Sequence, residues 1–99
     1  MEHTNTEAAS RLFRAILTLE SEEECRRFFE DLCTIKELQD LSQRLEVAQM
    51  LSDGRNYQDV SRTTGASTAT ISRVNKCLNY GSEGYTAVLS KLQQSEVTS

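Results

Sequence analysis

This sequence predicts an all-α fold, on three observations. Proline is absent and glycine occurs only four times in 99 residues, so few positions interrupt a helix. Between those glycines Leu, Glu, Arg, Ala and Gln predominate, and all favour helix. Apolar residues recur at spacings of three and four, and no stretch alternates with the two-residue period of a strand.

About six helical segments follow in order. The first covers roughly 8–19, with Leu12, Phe13, Ile16, Leu17 and Leu19 apolar. Ser21 and Glu24 then have the capping-box spacing that satisfies the free N–H groups of a helix start. The second helix runs from there to about Cys33 and turns Cys25, Phe28, Phe29, Leu32 and Cys33 inward. Thr34 and Glu37 repeat the capping box, so a third helix, about 35–52, begins with almost no linker. Its apolar stripe is Leu38, Leu41, Leu45, Ala48 and Leu51 or Met50, and Gly54 ends it. Asn56 caps a short fourth helix, about 57–64, which Gly65 breaks. Ser67 caps a fifth, to about Asn79, stopped by Gly81. Ser82 opens the last, about 83–93, with Tyr85, Val88, Leu89 and Leu92 inward. Residues 1–7 and 94–99 are expected to be disordered, and no internal repeat is present.

The length fits a single domain over 1–99. A chain this short buries a modest core, and Phe28 beside Phe29 places large rings on two sides of one helix. Both features point to a homodimer with a shared core. No apolar run approaches the ~20 residues of a membrane span. The N-terminal residues lack a signal-peptide apolar region, so a cytoplasmic protein with no membrane partner is expected. Cys25, Cys33 and Cys77 lack CxxC spacing and His3 is the single histidine, so buried thiols are expected and no metal site. The chain offers no nucleophile–base pair, phosphate loop or cofactor motif, and an enzyme is not expected.

The net charge of −4 hides a division. Residues 1–54 carry twelve Asp/Glu against six Lys/Arg, whereas residues 55–80 carry Arg55, Arg62, Arg73 and Lys76 against Asp59 alone. A local basic patch, not the average, makes an electrostatic footprint for nucleic acid. It coincides with a helix-turn-helix pattern over about 57–79. Val60 and Thr64 face the partner helix, Ser61 is small enough for a close crossing, Gly65 supplies the turn, and Ala66 tucks beneath it. Ile71, Val74 and Leu78 form the inward stripe of the second helix. Thr68, Ala69, Ser72, Arg73 and Lys76 are left outward, with Thr70 at the edge. Short residues at the helix start allow approach to base edges, and the basic residues further along reach phosphates or a guanine. Gln58 and Arg62 on the preceding helix would contact the flanking backbone. A helical hairpin with a solvated polar face, serving as a protein-interaction module with a vestigial motif, gives part of the same pattern. A DNA-end-binding head of a transposition system is a variant of the DNA reading. The joint occurrence of glycine turn, inward stripe and local positive charge favours binding of double-stranded DNA.

The stretch GASTATISRVNKCL resembles the recognition region of the tryptophan repressor family. LCTIKELQDLSQRLEVAQMLSDG resembles the long helix before that region, and GSEGYTAVLSKL the last helix. The likeness covers roughly residues 30–92 and is closest to the tryptophan-repressor-like subgroup of Firmicutes and their relatives. It implies an intertwined all-helical homodimer whose two heads enter successive major grooves, roughly 34 Å apart, on a pseudo-palindromic operator. It also implies a sequence-specific transcriptional regulator, a repressor, with DNA contacts at Gln58, Ser61, Thr68, Ala69, Thr70 and Ser72. Ser61 stands where the repressor has a basic residue.

A ligand site is implied too. The family's corepressor indole lies between two arginines, matched by Arg44 and Arg73, and the threonine of the site matches Thr34. The glycine that follows the second arginine in the repressor is Val74 here, and a following serine is Cys77. A branched side chain at Val74 fills the space a ligand needs, at an overpacking cost of ~1–3 kcal/mol or more. A tryptophan-responsive repressor is therefore not expected, and a different small effector is left open.

Overall fold

The computed structural model describes residues 6–98, with side chains to residue 96. Among the described residues there are six helices and no strand: α1 (Glu7–Ile16), α2 (Glu22–Leu32), α3 (Ile35–Ser52), α4 (Tyr57–Thr64), α5 (Thr68–Tyr80) and α6 (Gly84–Thr98). None is long and apolar enough to cross a membrane.

Capping chemistry sets most boundaries. The Thr6 hydroxyl accepts the Ala9 N–H at 3.0 Å and opens α1. At α2 the Ser21 hydroxyl accepts the Glu24 N–H, while the Glu24 carboxylate reaches one residue further back, to the Glu20 N–H at 3.0 Å. The Thr34–Glu37 box is fully reciprocal: the Glu37 N–H donates to Thr34 Oγ1 at 3.0 Å and the Thr34 N–H donates to Glu37 Oε1 at 2.8 Å. Exposed i,i+3 and i,i+4 pairs of Arg26 and Arg27 with Glu22 and Glu23 add support along α2, each worth a few tenths of a kcal/mol.

Three terminal expectations change. α1 stops at Ile16, three residues short, because Leu17 takes the cap position and Thr18 turns the chain. Ser82 does not open α6. Glu83 adopts φ 67°, the helix starts at Gly84, and the Ala87 N–H donates to the Glu83 carbonyl at 3.1 Å. α6 then runs to Thr98, through most of the segment expected to be disordered. Of the expected N-terminal disorder, residues 1–5 lie outside the described residues, as does Ser99, while Thr6 and Glu7 already form the start of α1.

The chain divides into two compact units, one up to Leu38 and one from Gln39. In the first, no described residue is buried. Phe28 and Phe29 meet edge to face at 5.6 Å, yet Leu17 remains 82% and Ile35 79% exposed. The second holds the core: Val47, Ala48, Met50, Val60, Ala66, Ile71, Val74 and Leu89, with Leu51, Leu78 and Tyr85 against it. α4 packs on α5, and α5 on α6.

The expected stripes of α3 and α6 are corrected here. On α3 the buried residues are Val47, Ala48 and Met50, whereas Leu41 and Leu45 are exposed. On α6 Leu89 is buried and Tyr85 half-buried, but Val88 and Leu92 are exposed. Both helices carry apolar residues on more than one side, and this chain covers only one of them. The cysteines also differ from expectation, since Cys77 is exposed and Cys25 and Cys33 are only half-buried, all as free thiols.

Gly65 ends α4 in the left-handed region, φ 74°. A Cβ there would meet nothing within 4 Å, so a side chain is opposed by backbone conformation alone, at about 1–2 kcal/mol. Gly65→Ala is expected to lower the thermal midpoint by roughly 4–16 °C, and Gly65→Asn by less than Ala. Scanning calorimetry of the two variants checks this, and equal midpoints would remove the conformational account. Gly81 is required for a different reason: a Cβ would lie 2.5 Å from the Cys77 carbonyl oxygen.

Candidate nucleic-acid interface

The candidate interface residues lie on α4 and α5, and hydrogen bonds fix the turn that relates these helices. The Gly65 N–H donates to the Ser61 carbonyl at 2.8 Å and closes α4. The Ser61 hydroxyl donates to the Ala66 carbonyl at 3.1 Å. The Ala66 N–H donates to Thr64 Oγ1 at 3.1 Å, and that hydroxyl donates to the Val60 carbonyl at 2.7 Å. From α3 the Gln43 side-chain amide donates to the Thr64 carbonyl at 3.1 Å. Ala66 is buried beneath this set, as its position in the motif requires. Gln43 is a tie that sequence reasoning missed. Nothing in a local pattern links it to a carbonyl twenty-one residues away.

Ser67 starts α5 by accepting the Thr70 N–H at 3.2 Å, and its hydroxyl also donates to Thr70 Oγ1 at 3.1 Å. Ile71 and Val74 anchor the inner side, each 1% exposed, and Leu78 is half-buried one turn on. The opposite side is open: Thr68, Ala69, Ser72, Arg73 and Lys76 are all exposed. Thr70 is half-buried at the edge. The outward face is therefore assembled on one helix as its spacing requires.

Two residues of the expected interface are already engaged in the fold. Ser61 is half-buried and its hydroxyl is used within the turn, which makes it a closure residue for α4. Thr70 shares its hydroxyl with the Ser67 cap. Gln58 and Arg62 are exposed on α4.

Acidic residues occupy the first turns of α1, α2, α3 and α4. The first turn of α5 carries no acidic residue, a feature it shares with α6. A carboxylate there would repel a phosphate approaching the N–H groups of that helix end; Thr68, Ala69 and Thr70 stand in its place. Arg73 and Lys76 have no acidic partner among the described residues. On α4, by contrast, Asp59 holds Arg55 at 3.5 Å and Arg62 at 2.6 Å. That arrangement was also missed. Its signal, an arginine four residues before and three after one aspartate, is legible in the sequence.

The residues of the implied ligand site are dispersed in role. Thr34 belongs to the first unit, and its hydroxyl caps α3. In the second unit Arg44 is half-buried on α3, Arg73 and Cys77 are exposed, and Val74 lies in the core with Val60 and Ile71.

Comparison with known proteins agrees with this architecture. The model of the family described as Trp repressor protein matches residues 7–93. The uncharacterized protein YerC of Bacillus subtilis (strain 168) is 56% identical over 88 residues, 89% of this chain and 85% of that protein. A crystal structure of a TrpR-like protein from Eubacterium eligens ATCC 27750 superposes with a TM-score of 0.89 at 53% identity, over 94% of this chain and 96% of that one. A candidate Trp repressor from Staphylococcus aureus gives a TM-score of 0.88 at 50% identity, over 93% and 92% of the two chains.

Proposed function

The chain belongs to the Trp repressor protein family, and from that premise we propose that it is a sequence-specific DNA-binding transcriptional regulator acting as a homodimer. The carrying observation is the α5 surface. A basic pair without an acidic partner among the described residues, Arg73 and Lys76, follows three short residues at an acid-free helix start, all on a helix whose other side is anchored in the core. Thr68, Ala69 and Ser72 are short enough to bring α5 against base edges in a major groove, where a methyl meets thymine and a hydroxyl pairs with any base. Arg73 and Lys76 bind phosphate or guanine, and Gln58 and Arg62 set register on the flanking backbone. Repression then follows from occupancy of a pseudo-palindromic operator. Such a regulator is not an enzyme and works in the cytoplasm.

Dimerisation is supported by the apolar side chains that one chain leaves uncovered: Phe13, Leu17, Leu32 and Ile35 in the first unit, and Leu41, Leu45, Val88 and Leu92 in the second. Surface of this kind marks an association site. A two-fold pair of α5 helices reads two half-sites, which makes the operator's symmetry a property of the dimer.

Tryptophan does not fit as its effector. Val74 is 1% exposed and packed in the core where the resemblance places a glycine beside the ligand. Further, Cys77 is a weaker hydrogen-bonding partner than serine for an ammonium group. The bonds of Ser61, Thr64 and Gln43 at the turn and the burial of Val74 under α5 support a head positioned by the chain's own contacts.

The test is selection of genomic fragments by the full chain, followed by sequencing. A shared motif with two inverted half-sites about one helical turn apart is the expected result. Recovery of fragments with no common motif would remove the sequence-specific reading and favour a protein-interaction module.

A further inference from the structure

Asp59 is the one carboxylate between Gly54 and Ser82, and it stands between two arginines. Its backbone N–H donates to the Asn56 side chain at 2.9 Å, which fixes it in the first turn of α4. Each carboxylate oxygen takes a different guanidinium. Oδ1 accepts from Arg62 Nη2 at 2.6 Å, and Oδ2 lies 3.5 Å from Arg55 Nε. The aspartate side chain is 31% exposed, while Arg55 and Arg62 are more open. The basic segment thus contains two kinds of cation: Arg73 and Lys76 on α5, without an acidic partner among the described residues, and Arg55 and Arg62 tethered at α4.

Resting on the DNA-binding reading, we propose that Asp59 is a specificity-setting residue that restrains the two arginines from indiscriminate phosphate binding and aims Arg62. Arginine carries five N–H donors in a rigid fork, so Arg62 keeps its Nη2 bond to Asp59 while its other donors remain available to a phosphate. A fork held in one plane meets a phosphate only when the duplex lies in register with α5. Released from Asp59, both arginines would follow any phosphate within reach, and the negative charge that opposes that phosphate would be gone. Non-specific affinity is almost entirely electrostatic, whereas specific affinity has base contacts as well. Removing the carboxylate therefore strengthens the non-specific mode more than the specific one.

The test compares wild type with Asp59→Asn on two duplexes, one carrying the selected operator and one of scrambled sequence, across a range of salt concentrations. For Asp59→Asn the scrambled duplex is expected to bind on the order of three- to tenfold tighter at low salt, with a salt slope steeper by about one to two. Operator affinity rises less, so the ratio between the two falls. Asp59→Glu restores wild-type behaviour, and adding Arg62→Gln to Asp59→Asn returns the slope towards the wild-type value. Circular dichroism of each variant reports whether the overall helix content and the thermal midpoint are kept. Unchanged affinity and slope for the scrambled duplex overturn the proposal, as does an equal fall on both duplexes with loss of helix, since either leaves Asp59 a structural residue. A wild-type protein without salt-dependent duplex binding removes the DNA-binding reading itself and this proposal with it.

Discussion

Replacing Arg73 and Lys76 together by alanine is expected to weaken duplex-DNA binding on the order of 100-fold at physiological salt and to flatten its salt dependence. Both side chains are exposed on α5, outside the core and without an acidic partner among the described residues. Their loss therefore falls on binding, and stability is expected to stay within about 0.5 kcal/mol of wild type. Each neutralised phosphate contributes about 0.9 to the slope of log K against log salt. Two lost contacts per chain thus lower the slope by about 2, and by about 4 when both heads of a dimer are engaged. Fluorescence anisotropy titrations at four or five salt concentrations measure affinity and slope together. Unchanged values would remove α5 as the contacting helix, whatever the likeness of the fold.

The second large effect belongs to Val74. Val74→Gly is expected to destabilise the protein by about 3–4 kcal/mol: ~2–3 from the lost side chain and the cavity it leaves, and ~1 from glycine inside a helix. The position is 1% exposed, in the core that also holds Val60 and Ile71. Against a typical stability of about 5–15 kcal/mol this is a large fraction, visible as a shifted urea midpoint. The variant also tests the steric account of the ligand. Millimolar tryptophan is expected to leave the wild-type midpoint unchanged and to raise that of Val74→Gly, because only a bound native state gains stability from ligand. Stabilisation of the wild type by tryptophan would show that Val74 does not close the site.

Much of this structure is legible from local chemistry. Thr34, Asn56 and Ser67 announce helix starts because a short oxygen-bearing side chain satisfies the orphan N–H groups behind it. Gly65 announces the turn because its backbone region excludes other residues at low cost. Ile71, Val74 and the polar residues between them divide the two sides of α5 without ambiguity. Other features depend on information no local pattern holds. Val47 was absent from the expected α3 stripe because that helix is apolar on several sides, and periodicity cannot rank sides that all look buried. Val88 and Leu92 match an inward pattern on α6, yet whether they are covered depends on what lies opposite. The Gln43–Thr64 bond joins residues too distant in sequence to be paired by spacing. Asp59 with its two arginines was readable, but a charge pattern of this kind usually signifies an ordinary solvated helix face.

The absence of any buried side chain among the described residues of α1 and α2 has a thermodynamic consequence. Helices of ten and eleven residues are too short to persist in water on propensity alone. On the homodimer reading proposed above, their burial would come from the second chain, so the ordering of these two helices and association would become one equilibrium. The ordered population of α1 and α2 would then obey mass action: dilution would release them, and their unfolding midpoint would climb with concentration. For a DNA-binding regulator, chain concentration would then set the ordered fraction as well as the occupancy of its site. Response to expression level would then be steeper than a preformed dimer gives.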